Sequence, residues 1–206
     1  MPEIWSVPRL WPGATVACLG CGPSLTQAQV DFVRGKARVI AVNDAWRLAP
    51  WAEVLYACDW RWWHKHGGVP DFAGLKVTLS NSLGHVAAWP EIKVLENTGA
   101  DGLEPAPTGL RTGRNGGYQA INLAVHFGAR RIVLLGYDMQ ADAQGRSHWF
   151  GDHEDWPTRP NIFRDVFLPH FDALARALKK IGVQVVNCTP DSALDVFPKA
   201  DLADSL

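Results

Sequence analysis

The chain has 206 residues, 47% of them hydrophobic, which suffices for one sizeable core and is marginal for two. Its formal net charge is −1, so bulk charge favours neither a nucleic acid nor a membrane surface as partner. No apolar run approaches the roughly 20 residues that span a bilayer, and the opening MPEIWSVPRL lacks the basic-then-apolar order of a secretion signal.

Thr15 to Leu19 is a short apolar run of the kind that forms a buried strand, and Gly20, Cys21, Gly22, Pro23 and Ser24 follow at once. Two glycines take away the Cβ atoms that keep a ligand off the backbone, and Pro23 and Ser24 suit a helix entry near Leu25. Free N–H groups at such an entry attract an anion, usually a phosphate. The loop is neither the dinucleotide fingerprint, since Leu25 stands where the third glycine belongs, nor a Walker loop. A plain tight turn is its bland alternative.

Further strands are predicted at residues 38–42, 54–57, 75–79, 92–95, 131–135 and 183–186, and helices at 115–127 and 162–181, the latter kinked at Pro169. Residues 99–112 and 139–160 read as long loops. Strands alternating with helices, and strands apolar throughout, predict an α/β fold of Rossmann-like type. It would be a single domain over residues 1–206 with a parallel sheet covered by helices on both faces. Ligands then bind beyond the carboxyl ends of the strands, where Gly20 to Ser24, Asn43-Asp44, Cys58-Asp59, Gly136 to Asp138 and Asn187 to Ser192 stand.

Several groups could carry chemistry. Cys18 and Cys21 form C-x-x-C, but Cys18 falls inside a strand and no second pair completes a zinc site. The four cysteines suit reduced, buried thiols in a cytoplasmic protein. His64 and His66 in WRWWHKH are two apart and point to different sides of any helix, so the run reads as a loop wall packing its tryptophans. Thr112, Gly113, Arg114 and Asn115 precede Gly116-Gly117 and a helix. They offer a cap, close approach to free N–H groups and, with Arg111, positive charge for a phosphate; an ordinary capped helix explains them as well. Residues 147–153, SHWFGDH, place His148, Asp152 and His153 together, after Asp138 at a strand end. A histidine titrating near neutrality can take a proton from an attacking hydroxyl.

Taken in order, GCGPSL, VND, TGRNGGYQAINLAVHFGARRIVLLGYDM, SHWFGDH and CTPDSAL resemble the bacterial sialyltransferase-like fold, over about residues 14 to 195. They are similar above all to small phage- and prophage-encoded proteins with the same succession. The opening G-x-G-P-S-L is shared with the archaeal hydroxymethylpterin pyrophosphokinase group. The resemblance implies a glycosyltransferase-like group transferase whose ligand is a nucleotide or nucleotide-sugar. It assigns nucleotide binding to Gly20, Gly22, Pro23, Ser24 and Asn43, and phosphate or sugar binding to Thr112 and Gly113, with Arg114 and Asn115 beside them. At the position of the family's catalytic histidine stands Asp152, with His153 next. His148 keeps the H-aromatic-x-G spacing, and Gln140 replaces a family tyrosine. Two alternatives stay open: a pyrophosphokinase using Mg2+ on Asp44, Asp59 and Asp138, or a non-catalytic phage accessory protein that keeps the fold. No resident metal or other cofactor is assigned, nucleic acid and membrane are not expected partners, and a homo-oligomer is compatible with the chain.

Overall fold

The computed structural model describes residues 3–151 and 158–206. Among these residues eight strands form one sheet: β1 (Thr15–Leu19), β2 (Arg38–Val42), β3 (Val54–Tyr56), β4 (Leu75–Leu79), β5 (Lys93–Asn97), β6 (Gly109–Leu110), β7 (Arg131–Leu135) and β8 (Gln184–Asn187). Their order is β6-β5-β4-β3-β2-β1-β7-β8, and every pairing is parallel. The helices are α1 (Gln27–Val33), α2 (Trp60–Lys65), α3 (Gly116–Phe127) and α4 (Leu168–Lys180).

The strands are apolar along their whole length because both faces are covered. On one face Val16, Cys18, Ile40 and Val42 pack with Ile121 and Phe127 of α3 and Phe171 and Leu174 of α4. On the other, Ala17, Leu19, Val39 and Ala41 pack with Val30 and Val33 of α1 and Trp62 and Trp63 of α2. Alternate residues of each strand thus feed opposite layers, as a pleat requires.

Four elements differ from the expectations. α1 begins at Gln27 because Thr26 and Gln29 form a reciprocal capping box; Ser24 caps nothing and serves elsewhere. The run WRWWHK is helical, with Asp59 accepting from Arg61 N at 2.9 Å as its cap, and it buries Trp62 and Trp63. Within residues 99–112 lies β6, held by the buried Asn122 of α3, whose Oδ1 accepts from Glu104 N at 2.9 Å and from Arg111 N at 3.2 Å. The long helix is not uniform. A π turn over Phe163–Phe167 precedes α4, because Pro169 has no N–H to continue the ladder and the wider turn absorbs the break.

Candidate functional site at the carboxyl ends of β1 and β7

From β1 the chain moves outward through β2 to β6, then returns to place β7 on the other side of β1. The helices that follow β1 and β7 therefore lie on opposite faces of the sheet, and a cleft opens over the strand ends where the order reverses. Two loops are laced together there. Gly20 N donates to Leu135 O at 2.8 Å and Gly22 N to Gly136 O at 2.9 Å. Ser24 donates twice to Asp138, from N to Oδ1 at 3.1 Å and from Oγ to Oδ2 at 3.0 Å. Asp138 is only 6% exposed. Burial pushes its carboxyl above the usual aspartate range, and the Ser24 hydrogen bonds offset part of that rise.

The glycines have a different reason from the one expected. A Cβ on Gly20 would stand 2.5 Å from Gly136 O, and one on Gly22 1.9 Å from Asp138 Oδ2. The neighbour that approaches them is the β7 loop. Their backbone still lines the cleft above, which holds about 360 Å³.

The opposite wall is the N-terminus of α3. Asn115 caps it, accepting from Tyr118 N at 3.1 Å. Gly116 and Gly117, the first two helical residues, face the cleft with N–H groups that no helical carbonyl can reach. That end carries partial positive charge and suits an anion. Gly117 must lack a side chain because the Tyr137 ring lies 2.7 Å from where its Cβ would be; the Tyr137 hydroxyl donates to Gly117 O at 3.0 Å. Arg114 and Arg159 also line the cleft, and no ion pair among the described residues engages either.

Backbone strain gathers here. Six described non-glycine residues have positive φ, and three of them, Asn43 (46°), Arg114 (53°) and Met139 (52°), line this cleft. Each such residue costs on the order of 1–2 kcal/mol.

The loop after β7 folds back over the loop after β1. Trp149 N donates to Cys21 O at 3.0 Å, which brings Ser147 and His148 to the cleft wall. The His148 ring stacks on Phe150, with centroids 5.1 Å apart at 15°. The Arg47 guanidinium lies 5.3 Å from the Trp149 ring centroid.

Of the residues singled out in the sequence, Gly20, Gly22, Asn43, Arg114, Asn115, Asp138 and His148 meet at this cleft. Pro23 and Ser24 stand away from its wall, Ser24 clamping Asp138 instead. Thr112 lines a neighbouring hollow with Asp59 and Asn97. Gly113, at φ 47°, makes room for the Tyr118 ring. Asp152 and His153 lie outside the described residues, as does Trp156. Gln140, at the cleft, donates to Asp191 O. Tyr137 and Met139 follow from the strand-end rule, since they flank Asp138; nothing in the sequence places Arg159 at the cleft.

A magnesium site on Asp44, Asp59 and Asp138 does not fit. Asp44 accepts from Trp62 Nε1 at 2.8 Å, Asp59 pairs with Arg61 at 2.8 Å, and Asp138 is held by Ser24. Among the described residues no three His, Cys, Asp or Glu side chains converge on one point. The thiols are held neutral, Cys18 and Cys188 in the core and Cys21 and Cys58 half-buried at the cleft. Burial raises Cys18 to about 12 and Cys58 to about 11, pushes Cys21 higher still, and Cys21 Sγ donates to Val42 O at 3.1 Å.

The chain is similar to the sialyltransferase CstII from Campylobacter jejuni, solved in complex with a substrate analogue, cytidine-5'-monophosphate. The match covers 93% of this chain and 86% of that one, with a TM-score of 0.54 and 12% sequence identity. The likeness is one of fold. No protein-family model matches the chain, and no curated protein matches it. The shared architecture is a parallel α/β sheet of Rossmann-like type.

Proposed function

We propose that the cleft binds a nucleotide, with a cytidine nucleotide-sugar as the leading candidate, and that the protein transfers the glycosyl group to a hydroxyl. The observation that carries this is the cleft over the carboxyl ends of β1, β2 and β7, walled by the uncapped N–H groups of Gly116 and Gly117 and by Arg114 and Arg159. That wall suits a phosphate. The Gly20–Gly22 backbone and the Asn43 amide then face the ribose or base. The likeness in fold to a sialyltransferase solved with cytidine-5'-monophosphate supports the choice of base.

In such a transfer the acceptor oxygen bonds to the anomeric carbon while the bond from that carbon to the nucleotide phosphate breaks. The electron pair leaves with the phosphate oxygen, where the α3 terminus and the two arginines stabilise it. The acceptor's proton goes to a base on the histidine loop, His148 in our assignment, with His153 and Asp152 the further candidates on that loop. Asp138 holds the β1 loop through Ser24 and, with its raised basicity, is the other group able to take a proton there.

A thermal-shift titration with the nucleoside monophosphates and inorganic phosphate tests the reading. At about 100 times its Kd a ligand adds about 2.7 kcal/mol, hence roughly 5–10 °C for a chain of this size. Cytidine monophosphate should give such a shift and phosphate alone a smaller one, and a cytidine-activated sugar should then release the nucleotide when an acceptor is supplied. No shift with any nucleotide would sink the proposal.

A further inference from the structure

Because every strand runs the same way, the amino ends of β1, β2, β7 and β8 share one edge, opposite the cleft. The segments entering that edge touch one another. Trp11 N donates to Phe127 O and Gly13 N to Gly128 O, which seats residues 9–13 beside the start of β7. A Cβ on Gly128 would meet Arg9 Cγ at 3.0 Å, and one on Gly182 would meet Arg130 Nη1 at 3.5 Å. Lys36 and Arg38 line a shallow hollow with Ala14 and Thr15. Arg9, Lys36, Arg38, Arg130, Lys179 and Lys180 are all exposed on this edge. Two carboxylates stand nearby: Glu53, which pairs with Arg38 at 3.1 Å, and Asp31, which accepts from Gln27 Nε2 at 2.9 Å, so the excess positive charge rests on Arg9, Lys36, Arg130, Lys179 and Lys180.

Apolar side chains stand among these cations. Five large hydrophobic residues are exposed among the described ones, and three are here: Leu10 at 60%, Ile181 at 50% and Phe32 at 38%. The Lys36 ammonium lies 3.2 Å from the Phe32 ring centroid. Cations that attract anionic headgroups, interleaved with protruding apolar groups that enter the interface, are the two components of a peripheral membrane contact. A nucleic acid would use the cations but leave Leu10 and Ile181 in water.

We propose that this edge, with Leu10 and Ile181 at its apolar centre, docks on an anionic lipid bilayer and turns the cleft toward the aqueous phase. The chain's net charge of −1 conceals the segregation. The proposal is independent of what the cleft binds.

The test is co-sedimentation of the whole chain with vesicles of phosphatidylcholine alone or mixed with phosphatidylglycerol. The protein should pellet with the mixed vesicles only, and less as salt rises. A triple variant, Lys36→Glu with Lys179→Glu and Lys180→Glu, should lose binding by more than about tenfold, since each cation near such a surface is worth about fivefold. Leu10→Ser with Ile181→Ser should weaken binding several-fold at unchanged charge. Both variants alter exposed residues, so nucleotide binding should match the parent; melting temperature should match for the serine pair and fall slightly for the triple variant, whose two glutamates stand at the C-terminus of α4. Absence of vesicle binding at low salt would overturn the proposal. So would retention on duplex DNA, untouched by the serine pair, with no vesicle binding, or a dimer in solution that the serine pair dissociates.

Discussion

Gly22 and Asp138 occupy one space: a Cβ on the glycine would lie 1.9 Å from the Oδ2 atom that Ser24 Oγ holds at 3.0 Å. Gly22→Ala should therefore displace the carboxylate or the β1 loop and cost about 1–3 kcal/mol of stability. In the background of Asp138→Ala, which removes the nearest atoms and leaves only Gly136 O at 2.6 Å, the same change should cost about 1 kcal/mol less. Urea unfolding of the four proteins measures the coupling. Strictly additive effects would separate the two residues.

Arg114 combines a cleft-facing guanidinium with a left-handed backbone at φ 53°. Arg114→Gly relieves the strain and removes the charge, whereas Arg114→Ala removes only the charge. We expect both to weaken nucleotide binding by about 1.5–3 kcal/mol, the range for a hydrogen bond to a charged group. The glycine variant should meanwhile be more stable than the alanine one by about 1 kcal/mol. Calorimetric titration paired with unfolding would show the two properties moving in opposite directions; unchanged affinity would remove Arg114 from the phosphate site.

His148 is held at the cleft wall by a loop fastened through Trp149 N to Cys21 O. If it is the base, His148→Ala should lower turnover by roughly 10²–10⁴ and leave nucleotide affinity nearly intact. Steady-state rates and a separate binding isotherm distinguish this from a packing role. A loss of a few-fold in both would transfer the assignment to His153 or Asp152.

His126, buried on α3, donates from Nε2 to Gly109 O at 2.9 Å, and burial lowers its pKa below the ordinary 6.5. The folded protein thus binds a proton there less readily than the unfolded chain. Stability from this group is fully present above pH 6.5 and is lost as pH falls through that value toward the depressed folded pKa. The slope from this one group cannot exceed about 1.4 kcal/mol per pH unit within that window. Denaturation between about pH 7 and pH 5 should be steeper for the parent than for His126→Gln. Equal slopes would mean that another group governs the acid limb.

Strands were the most legible part of the chain, because runs such as RVIAV and RIVLL are apolar on both faces and only a doubly covered sheet accommodates them. The two-residue β6 was not, since Gly109–Leu110 has too few side chains to show a period and owes its place to Asn122 and His126 from α3. The Trp60–Lys65 helix was hidden because Asp59 caps it from a strand end, where a carboxylate reads as a ligand group. At the site, the residue types were readable but their roles were not. Glycines that look ready for a ligand instead admit Asp138 and Tyr137, a contact between segments more than a hundred residues apart that no local pattern encodes. The cationic edge was invisible for a related reason: a summed charge carries no positions.

The Ser24–Asp138 clamp joins residues 114 positions apart in the chain. During synthesis β1 and β2 emerge early, yet the other edge of β1 stays unpaired until β7 arrives after β3 to β6 have been made. A central strand is thereby left as a bare template through most of translation, open to pairing with another chain. The crevice cannot exist in that interval, because half of its floor has not been made. Nucleotide capture would then be a late event in the life of the nascent chain, and a truncation ending before Arg131 would yield a sheet lacking β7 and β8 and unable to hold a ligand.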